Sequence, residues 1–221
     1  MKKRLTRFLP FLLAFTIALP SYSVFAEEEN QAKETQTNET NETQADETTA
    51  NDTLSLAAET AVLIDAASGE ILYDKDADKK MYPASITKLM TILLALENGK
   101  LTDEITFSHD AVYNIEPGSA HIAILEGETL TLEQVLRAII LRSANEASNG
   151  VAEYVDGSVE AFAKHMTERA KELGCTNTNF VNANGLFDEN HYTTAHDMAL
   201  IARELLKHEE YRSMMSETDY E

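Results

Sequence analysis

The chain has 221 residues and a formal net charge of −20, with 38 acidic side chains against 18 lysines and arginines. This balance favours solubility and argues against nucleic-acid binding, which requires a basic surface. A single cysteine, Cys175, excludes an internal disulfide, so the stability of the fold must come from its core. We expect Cys175 itself to be a buried apolar side chain and not a reactive thiol, because its sequence neighbours offer no base.

Residues 1–26 have the pattern of a secretory signal peptide. A basic start is followed by an apolar run from Phe8 to Leu19, which is too short for a comfortable membrane span. The small residues Val24 and Ala26 then predict cleavage after Ala26, with an uncleaved anchor as the alternative. The segment predicts export, so we expect the mature protein to act outside the cytoplasmic membrane.

Residues 27–53 are acidic, rich in asparagine and threonine, and nearly devoid of apolar side chains. A segment of this composition cannot bury enough surface to offset its chain entropy, so it predicts a disordered linker. The folded part of the chain is therefore expected over residues 54–221.

The predicted domain opens with a β-hairpin. Two short runs rich in β-branched residues, 61–65 and 70–73, flank a turn that contains a glycine. A first helix follows from Pro83 to about Asn98, with Gly99 at the C′ position. This helix is apolar nearly all round, which predicts that it is central and buried.

Four further helices are marked by their ends. The second runs from Thr131 to about Arg142 and begins with a capping box, the third stops by Gly157, the fourth lies between Ser158 and Gly174, and Thr194 with Asp197 caps the last. Residues 175–192 predict a long ordered loop, and the chain then runs to an irregular, charged end. A hairpin is not stable alone, so the helices must cover it, and the sheet looks unfinished within these residues.

Ser85 and Lys88 lie three positions apart at the start of the first helix, so they share one helical face. A serine becomes a good nucleophile when a base takes its proton, and a lysine serves as that base when burial lowers its pKa. The alternative is an N-cap serine beside a lysine that extends to water. Spacing alone favours this structural alternative.

A second polar group, Ser143-Ala144-Asn145, falls between the second and third predicted helices. Serine and asparagine are common in such turns, so this group alone predicts only a helix-to-helix connection. Beside Ser85 and Lys88, the same residues favour a catalytic role.

The run Pro83 to Thr91 resembles the first signature of the serine D-alanyl-D-alanine carboxypeptidases, low-molecular-mass penicillin-binding proteins related to the class A β-lactamases. Ser143-Ala144-Asn145 is similar to their second signature, and the stretch from Asn184 to Ala199 is similar to the segment after their helical subdomain. The resemblance implies an α/β (α+β) fold of the β-lactamase/transpeptidase type. This fold would combine a helical subdomain with the N-terminal hairpin of an antiparallel sheet.

The resemblance also implies roles for four residues. Ser85 would be the acyl-ester nucleophile, Lys88 the general base, Ser143 a proton relay and Asn145 a substrate-binding residue, without a cofactor or metal. The partners would be peptidoglycan stem peptides ending in D-Ala-D-Ala, with β-lactams as covalent inhibitors. His191 and His196 lie five positions apart near a helix start, a spacing that favours loop ordering and capping over a zinc site.

The sequence departs from the family pattern in two ways. It contains no Lys-Thr-Gly, the third signature, and Ala144-Asn145-Glu146 replaces the Gly-Asn-Asp of many relatives. We interpret the first departure as a C-terminal truncation that removes the remaining strands, a β-rich domain and a membrane anchor. The isolated chain would then have weak or no activity and marginal stability.

Two other functions remain open from the sequence. A class A-like β-lactamase needs a glutamate base in its loop, but Asp188 and Glu189 do not have the expected spacing from an asparagine. A non-catalytic wall-binding module is the second alternative, because a chain without the third signature could be inert.

Overall fold

The computed structural model describes residues 55–217. The predicted signal peptide and linker, residues 1–26 and 27–53, lie outside the described residues, as do residue 54 and the last four residues of the predicted domain. The strands are β1 (Ala61–Ile64), β2 (Ile71–Lys75), β3 (Glu104–Thr106) and β4 (Thr129–Thr131). The helices are α1 (Lys88–Asn98), α2 (His109–Tyr113), α3 (Leu132–Arg142), α4 (Asn145–Asp156), α5 (Val159–Glu172), α6 (Ala195–Leu205) and α7 (Glu209–Ser216).

Strands β1 and β2 form the predicted hairpin, antiparallel with Ala61 opposite Lys75 and with a register shift at Leu63/Ile64. The turn is closed by the Asp65 amide, which donates to the Glu70 carbonyl at 2.8 Å. Helix α6 packs against β1, and the Arg203 guanidinium donates to the Ala66 carbonyl in the turn at 2.9 Å. Helix α6 thus covers part of the hairpin, while the side chains of Leu63, Ile71 and Leu72 remain exposed.

Helix α1 is the centre of the fold, as predicted, and it packs against α3, α4, α5 and α6. Its C-terminus differs from the prediction, because Gly99 has an extended backbone with φ −135° and is not a left-handed cap. The glycine is required by packing instead. A Cβ atom at this position would lie 2.8 Å from the Tyr154 hydroxyl and 2.9 Å from Leu132 Cδ2.

Helices α3, α4 and α5 begin and end close to where the sequence predicts. The capping box of α3 is present, with Thr131 Oγ1 accepting from the Gln134 amide and the Gln134 side chain accepting from the Thr131 amide. Helix α4 ends at Gly157, whose φ of +77° suits a glycine. The Ser158 side chain caps α5 by accepting from the Ala161 amide.

The predicted loop 175–192 is ordered by buried polar contacts. Asp197, at the start of α6, turns its carboxylate to the loop, where it accepts from the Asn177 amide at 2.8 Å and the Thr178 hydroxyl at 2.7 Å. Thr194 caps α6 by accepting from the Asp197 amide at 3.0 Å. Cys175 is buried as predicted, and burial raises the pKa of its thiol to about 12.

Four elements were not predicted: β3, β4, α2 and α7. The two strands form a separate antiparallel pair, and each has three residues, too few for an alternating pattern to appear. Helix α7 lies before the predicted irregular end, residues 216–221, and overlaps it only at Ser216; of its residues, Tyr211 and Met214 are buried. Within residues 55–217, no helix is both long and apolar enough to span a bilayer.

Candidate active site

Ser85 lies on an exposed 3-10 turn, Ala84–Thr87, that leads directly into α1, and Lys88 is the first residue of that helix. In a 3-10 turn, side chains three positions apart are eclipsed. The Lys88 ammonium therefore lies 3.3 Å from Ser85 Oγ and donates to it. The structure brings together the two residues that the first motif predicts.

Lys88 is the polar centre of this group, and its residue is only 4% exposed. Besides Ser85, its Nζ donates to Asn145 Oδ1 at 2.8 Å and to the Asn184 carbonyl at 2.6 Å. Burial lowers the pKa of Lys88 to about 8, and the negative charge of Glu146 opposes this shift. A lysine side chain that is normally charged at neutral pH can therefore lose its proton near physiological pH.

Asn145 and Ser143 occupy the predicted junction between α3 and α4. Ser143 has a left-handed backbone, with φ 54°, which ends α3 and lets α4 begin at Asn145. This places the Asn145 side chain against Lys88. Ser143 Oγ is buried and has no hydrogen-bond partner among the residues that the structure describes, whereas the other three predicted site residues are directly connected.

Asn184 and Gly185 contribute to the site in ways that the sequence analysis did not assign. The Asn184 side-chain nitrogen Nδ2 donates to Asn149 Oδ1 at 3.1 Å. This contact helps to hold the Asn184 backbone carbonyl against Lys88. Gly185 has φ +86°, and a Cβ atom there would lie 1.9 Å from the Ala84 carbonyl oxygen. The only sequence signal was the run Asn184-Gly185-Leu186 within the family resemblance, because backbone carbonyls leave no pattern of their own.

His191 is hydrogen-bonded to the 3-10 turn that carries Ser85. Its Nδ1 accepts from the Val181 amide at 3.2 Å, so its Nε2 carries the proton and donates to Thr87 Oγ1 at 2.8 Å. Burial lowers the pKa of His191 to about 4, which keeps the ring neutral. His196 instead contacts Asp78 at 3.2 Å. No cluster of three metal-ligating side chains occurs within residues 55–217, and the two histidines order the loop and the start of α6.

Glu146 is a further buried group beside the site. It is 1% exposed, and its Oε1 accepts from the Ile122 amide at 2.7 Å, while the Asn145 amide donates to the Ala120 carbonyl at 2.9 Å. These two bonds attach the segment before β4 to the start of α4. In the sequence, Glu146 stands out only as the residue that replaces the aspartate of many relatives.

The arrangement can activate a hydroxyl group. A serine oxygen is accessible at the surface, a lysine of lowered pKa is within hydrogen-bonding distance, and two oxygen acceptors fix the lysine from inside. These are the elements of nucleophilic catalysis by a serine with a lysine base. The site therefore has the arrangement expected of a protein that uses an activated serine as its nucleophile.

Comparison with known proteins identifies the family. Residues 43–221 match the family described as D-alanyl-D-alanine carboxypeptidase. The chain is 43% identical over 161 residues to the D-alanyl-D-alanine carboxypeptidase DacF of Bacillus subtilis, covering 71% of this chain and 41% of that protein. It is 37% identical over 160 residues to DacC of Escherichia coli, covering 69% and 40%. The chain belongs to the D-alanyl-D-alanine carboxypeptidase family, as the sequence motifs predicted.

Solved structures agree with this assignment. The chain superposes on penicillin-binding protein 5 from Haemophilus influenzae with a TM-score of 0.69 at 34% identity, covering 76% of this chain and 50% of that one. The predicted fold class is confirmed. The chain spans about two fifths of the length of the two carboxypeptidases DacF and DacC.

Proposed function

We propose that this chain carries the nucleophile of a serine D-alanyl-D-alanine carboxypeptidase that removes the terminal D-alanine from peptidoglycan stem peptides. The observation that carries the proposal is the contact of Lys88 Nζ with Ser85 Oγ at 3.3 Å inside a buried polar cluster. The family membership and the predicted export signal support peptidoglycan outside the cytoplasmic membrane as the target.

The contacts of Lys88 suit the neutral amine that the reaction needs. A neutral amine has two N–H groups and one lone pair. The two inner contacts, to Asn145 Oδ1 at 2.8 Å and the Asn184 carbonyl at 2.6 Å, can use both N–H groups. The lone pair then points toward Ser85, whose hydroxyl donates to it. Loss of the lysine proton thus reverses the direction of the Lys88–Ser85 hydrogen bond.

In the proposed reaction, Ser85 Oγ attacks the carbonyl carbon of the penultimate D-alanine while its proton moves to Lys88 Nζ. The tetrahedral adduct collapses, the C–N bond breaks, and the leaving D-alanine amine takes up a proton. Ser143 is the proposed relay for that proton, and its unpartnered hydroxyl is free to accept and donate. Water then hydrolyses the acyl ester and restores the Ser85 hydroxyl.

Asn145 has two proposed tasks. Its side-chain oxygen Oδ1 accepts from Lys88. Its side-chain nitrogen Nδ2 would then donate to a peptide carbonyl of the substrate. The β-lactams would enter as covalent inhibitors, because opening of their ring leaves an acyl group on Ser85.

Labelling with a fluorescent penicillin tests the proposal. In a longer form of the protein that also contains the third signature, Lys-Thr-Gly, we expect a stable adduct that is lost in Ser85→Ala and retained in Ser213→Ala, a matched change at an exposed serine on α7. For the 221 residues alone we expect weak or no activity. Release of D-alanine from a peptide ending in D-Ala-D-Ala should follow the same pattern.

The same assay separates the alternatives left open by the sequence. Rapid turnover of the penicillin would support a β-lactamase. Labelling that survives Ser85→Ala would contradict the proposed nucleophile, and absence of both labelling and D-alanine release would support a wall-binding module.

A further inference from the structure

Two exposed aromatic rings, Tyr82 and Phe187, lie on the two chain segments that meet next to the nucleophile. Tyr82 is 59% exposed and Phe187 is 71% exposed, and their ring centroids lie 5.0 Å apart in an edge-on arrangement with an interplanar angle of 69°. Single exposed apolar residues are ordinary on protein surfaces. A pair of large rings in mutual contact, both largely open to water, presents a compact apolar surface of the kind that binds ligands.

The pair is fixed to the active site by the backbone on both sides. Tyr82 lies three residues before Ser85, between half-buried Met81 and buried Pro83, and the amide and carbonyl of Met81 pair with Thr193. Phe187 lies two residues after Gly185, the glycine that is packed against the Ala84 carbonyl. The two segments that meet at the nucleophile therefore each carry one ring of the pair.

Phe187 is also held from its own loop. The Leu186 amide donates to Asn184 Oδ1 at 3.0 Å, and the Asn182 side-chain amide donates to the Leu186 carbonyl at 2.8 Å. The residue before Phe187 is thus tied to Asn184, whose carbonyl binds Lys88. The ring is exposed, but its backbone is positioned by the same contacts that position the base.

The chemistry of the surface indicates which part of a ligand it would take. Aromatic ring faces carry partial negative charge and do not attract a carboxylate. The cleft beside Tyr82 contains one cation and one carboxylate, Lys80 and Glu189, so it has no net positive charge to attract a carboxylate, and Lys80 lies over the Tyr192 ring at 4.2 Å from its centroid. The pair therefore suits an apolar or aromatic group on the acyl side of the ligand, and not the D-alanine that leaves with its carboxylate.

We propose that Tyr82 and Phe187 form a specificity site that binds an apolar group of the acyl portion attached to Ser85. This inference rests on the proposed function for the identity of the ligand. The site adds a preference among acyl donors and takes no part in proton transfer. Aromatic acyl groups would be favoured over small ones by edge-on or stacked contact with the two rings.

The test separates binding from chemistry by using a Ser85→Ala background, in which no acyl transfer can occur. Affinities are measured by NMR titration for two peptides that differ only in the N-acyl group, phenylacetyl-D-Ala-D-Ala and acetyl-D-Ala-D-Ala. The aromatic peptide should bind more tightly, and Phe187→Ala or Tyr82→Ala should each weaken it by about 2- to 10-fold, the range of one aromatic pair. The acetyl peptide should change by less than about twofold.

Two controls keep the result specific. Phe187→Tyr retains a ring and should restore the preference, whereas Tyr113→Ala removes an exposed ring that stacks on His109 and should leave both affinities unchanged. Equal affinity for the two peptides, no binding of either, or equal loss for both in the alanine variants would overturn the specificity site. Failure of penicillin labelling would count against the proposed function alone, because the peptide preference is measured without the nucleophile.

Discussion

At Lys88, burial and charge act on the pKa in opposite directions. Burial among the residues of α1 lowers it to about 8, and the nearby Glu146 carboxylate raises it. Burial is the larger effect. The side chain is therefore a cation over most of the acid and neutral range and an amine above it, which links the proposed chemistry to pH.

The rate of penicillin labelling should rise with pH and level off above about 8, because only the neutral amine can take the Ser85 proton. Below that value, each pH unit should reduce the rate by about tenfold. Lys88→Arg should abolish labelling at every pH tested, since a guanidinium cannot lose its proton in this range. Lys164→Arg, at an exposed position on α5, is the control and should retain the full profile.

Glu146→Gln tests whether the charge of Glu146 raises the pKa of Lys88. Glutamine keeps an oxygen acceptor for the Ile122 amide but removes the charge that raises the pKa of Lys88. The midpoint of the labelling profile should move to lower pH. An unchanged midpoint, with an unchanged unfolding curve, would show that Glu146 does not act on Lys88.

The contacts among Ser85, Lys88 and Asn145 could be anticipated, because each motif is local in sequence and the family resemblance joins the two motifs. Ser85 and Lys88 share a turn, and Ser143 and Asn145 share a helix junction. The Asn184 carbonyl could not be predicted, because every residue has one and only the fold selects which one meets Lys88. The His191 contact with Thr87 was missed for a similar reason, since the two residues are 104 positions apart.

Among the elements, the 3-10 turn before α1 and the loop that carries Gly185 depend on each other. The Ala84 backbone has φ 48°, an uncommon conformation for a residue with a side chain, and its carbonyl is in contact with Gly185. The turn that presents Ser85 is therefore shaped partly by a loop 100 residues away.

Gly185→Ala should disrupt this contact, because its Cβ would meet the Ala84 carbonyl at 1.9 Å and backbone atoms must move. A displacement of the Ser85 turn by about 1 Å predicts a loss of labelling on the order of 100-fold. Gly127→Ala is a matched control, with φ +80° but nothing within 4 Å of the added atom. It should lose only about 1–2 kcal/mol of stability from backbone strain and keep its labelling rate.

Helices with clear ends and apolar faces were predicted well, and short elements were not. The capping box at Thr131 and the apolar length of α1 specify those helices from local sequence. Strands β3 and β4 instead form by pairing Glu104–Thr106 with Thr129–Thr131 across an intervening helix. Such strands form because of tertiary contacts. Three residues are too few to show an alternation of apolar and polar side chains from which a strand could be predicted.

At the scale of the whole molecule, buried polar contacts connect the loop 175–192 to two helices, to Asp197 at the start of α6 and to Lys88 at the start of α1. His191 is the group among these with the largest response to acid, because its neutral ring is 2% exposed and its pKa falls from 6.5 to about 4 on folding. The unfolded chain therefore binds a proton at a higher pH than the folded one.

The contribution of His191 to the free energy of unfolding should be fully present above about pH 6.5 and be lost as the pH falls through about 4. This contribution amounts to about 3 kcal/mol. Urea unfolding at both ends of this range measures the effect. In His191→Gln the acid-dependent loss should shrink by that amount. His109→Gln, at an exposed histidine, should retain the full loss.

Lys88 is the one buried lysine among residues 55–217; the others described are partly or fully exposed. A reagent that acylates free amines would modify the exposed lysines first and reach Lys88 only when α1 separates from α4 and the loop. The time course of its modification, followed by mass spectrometry, would therefore count opening events of the central helix under native conditions. The side chain proposed to take the proton from Ser85 would thus also report the frequency of local opening around α1.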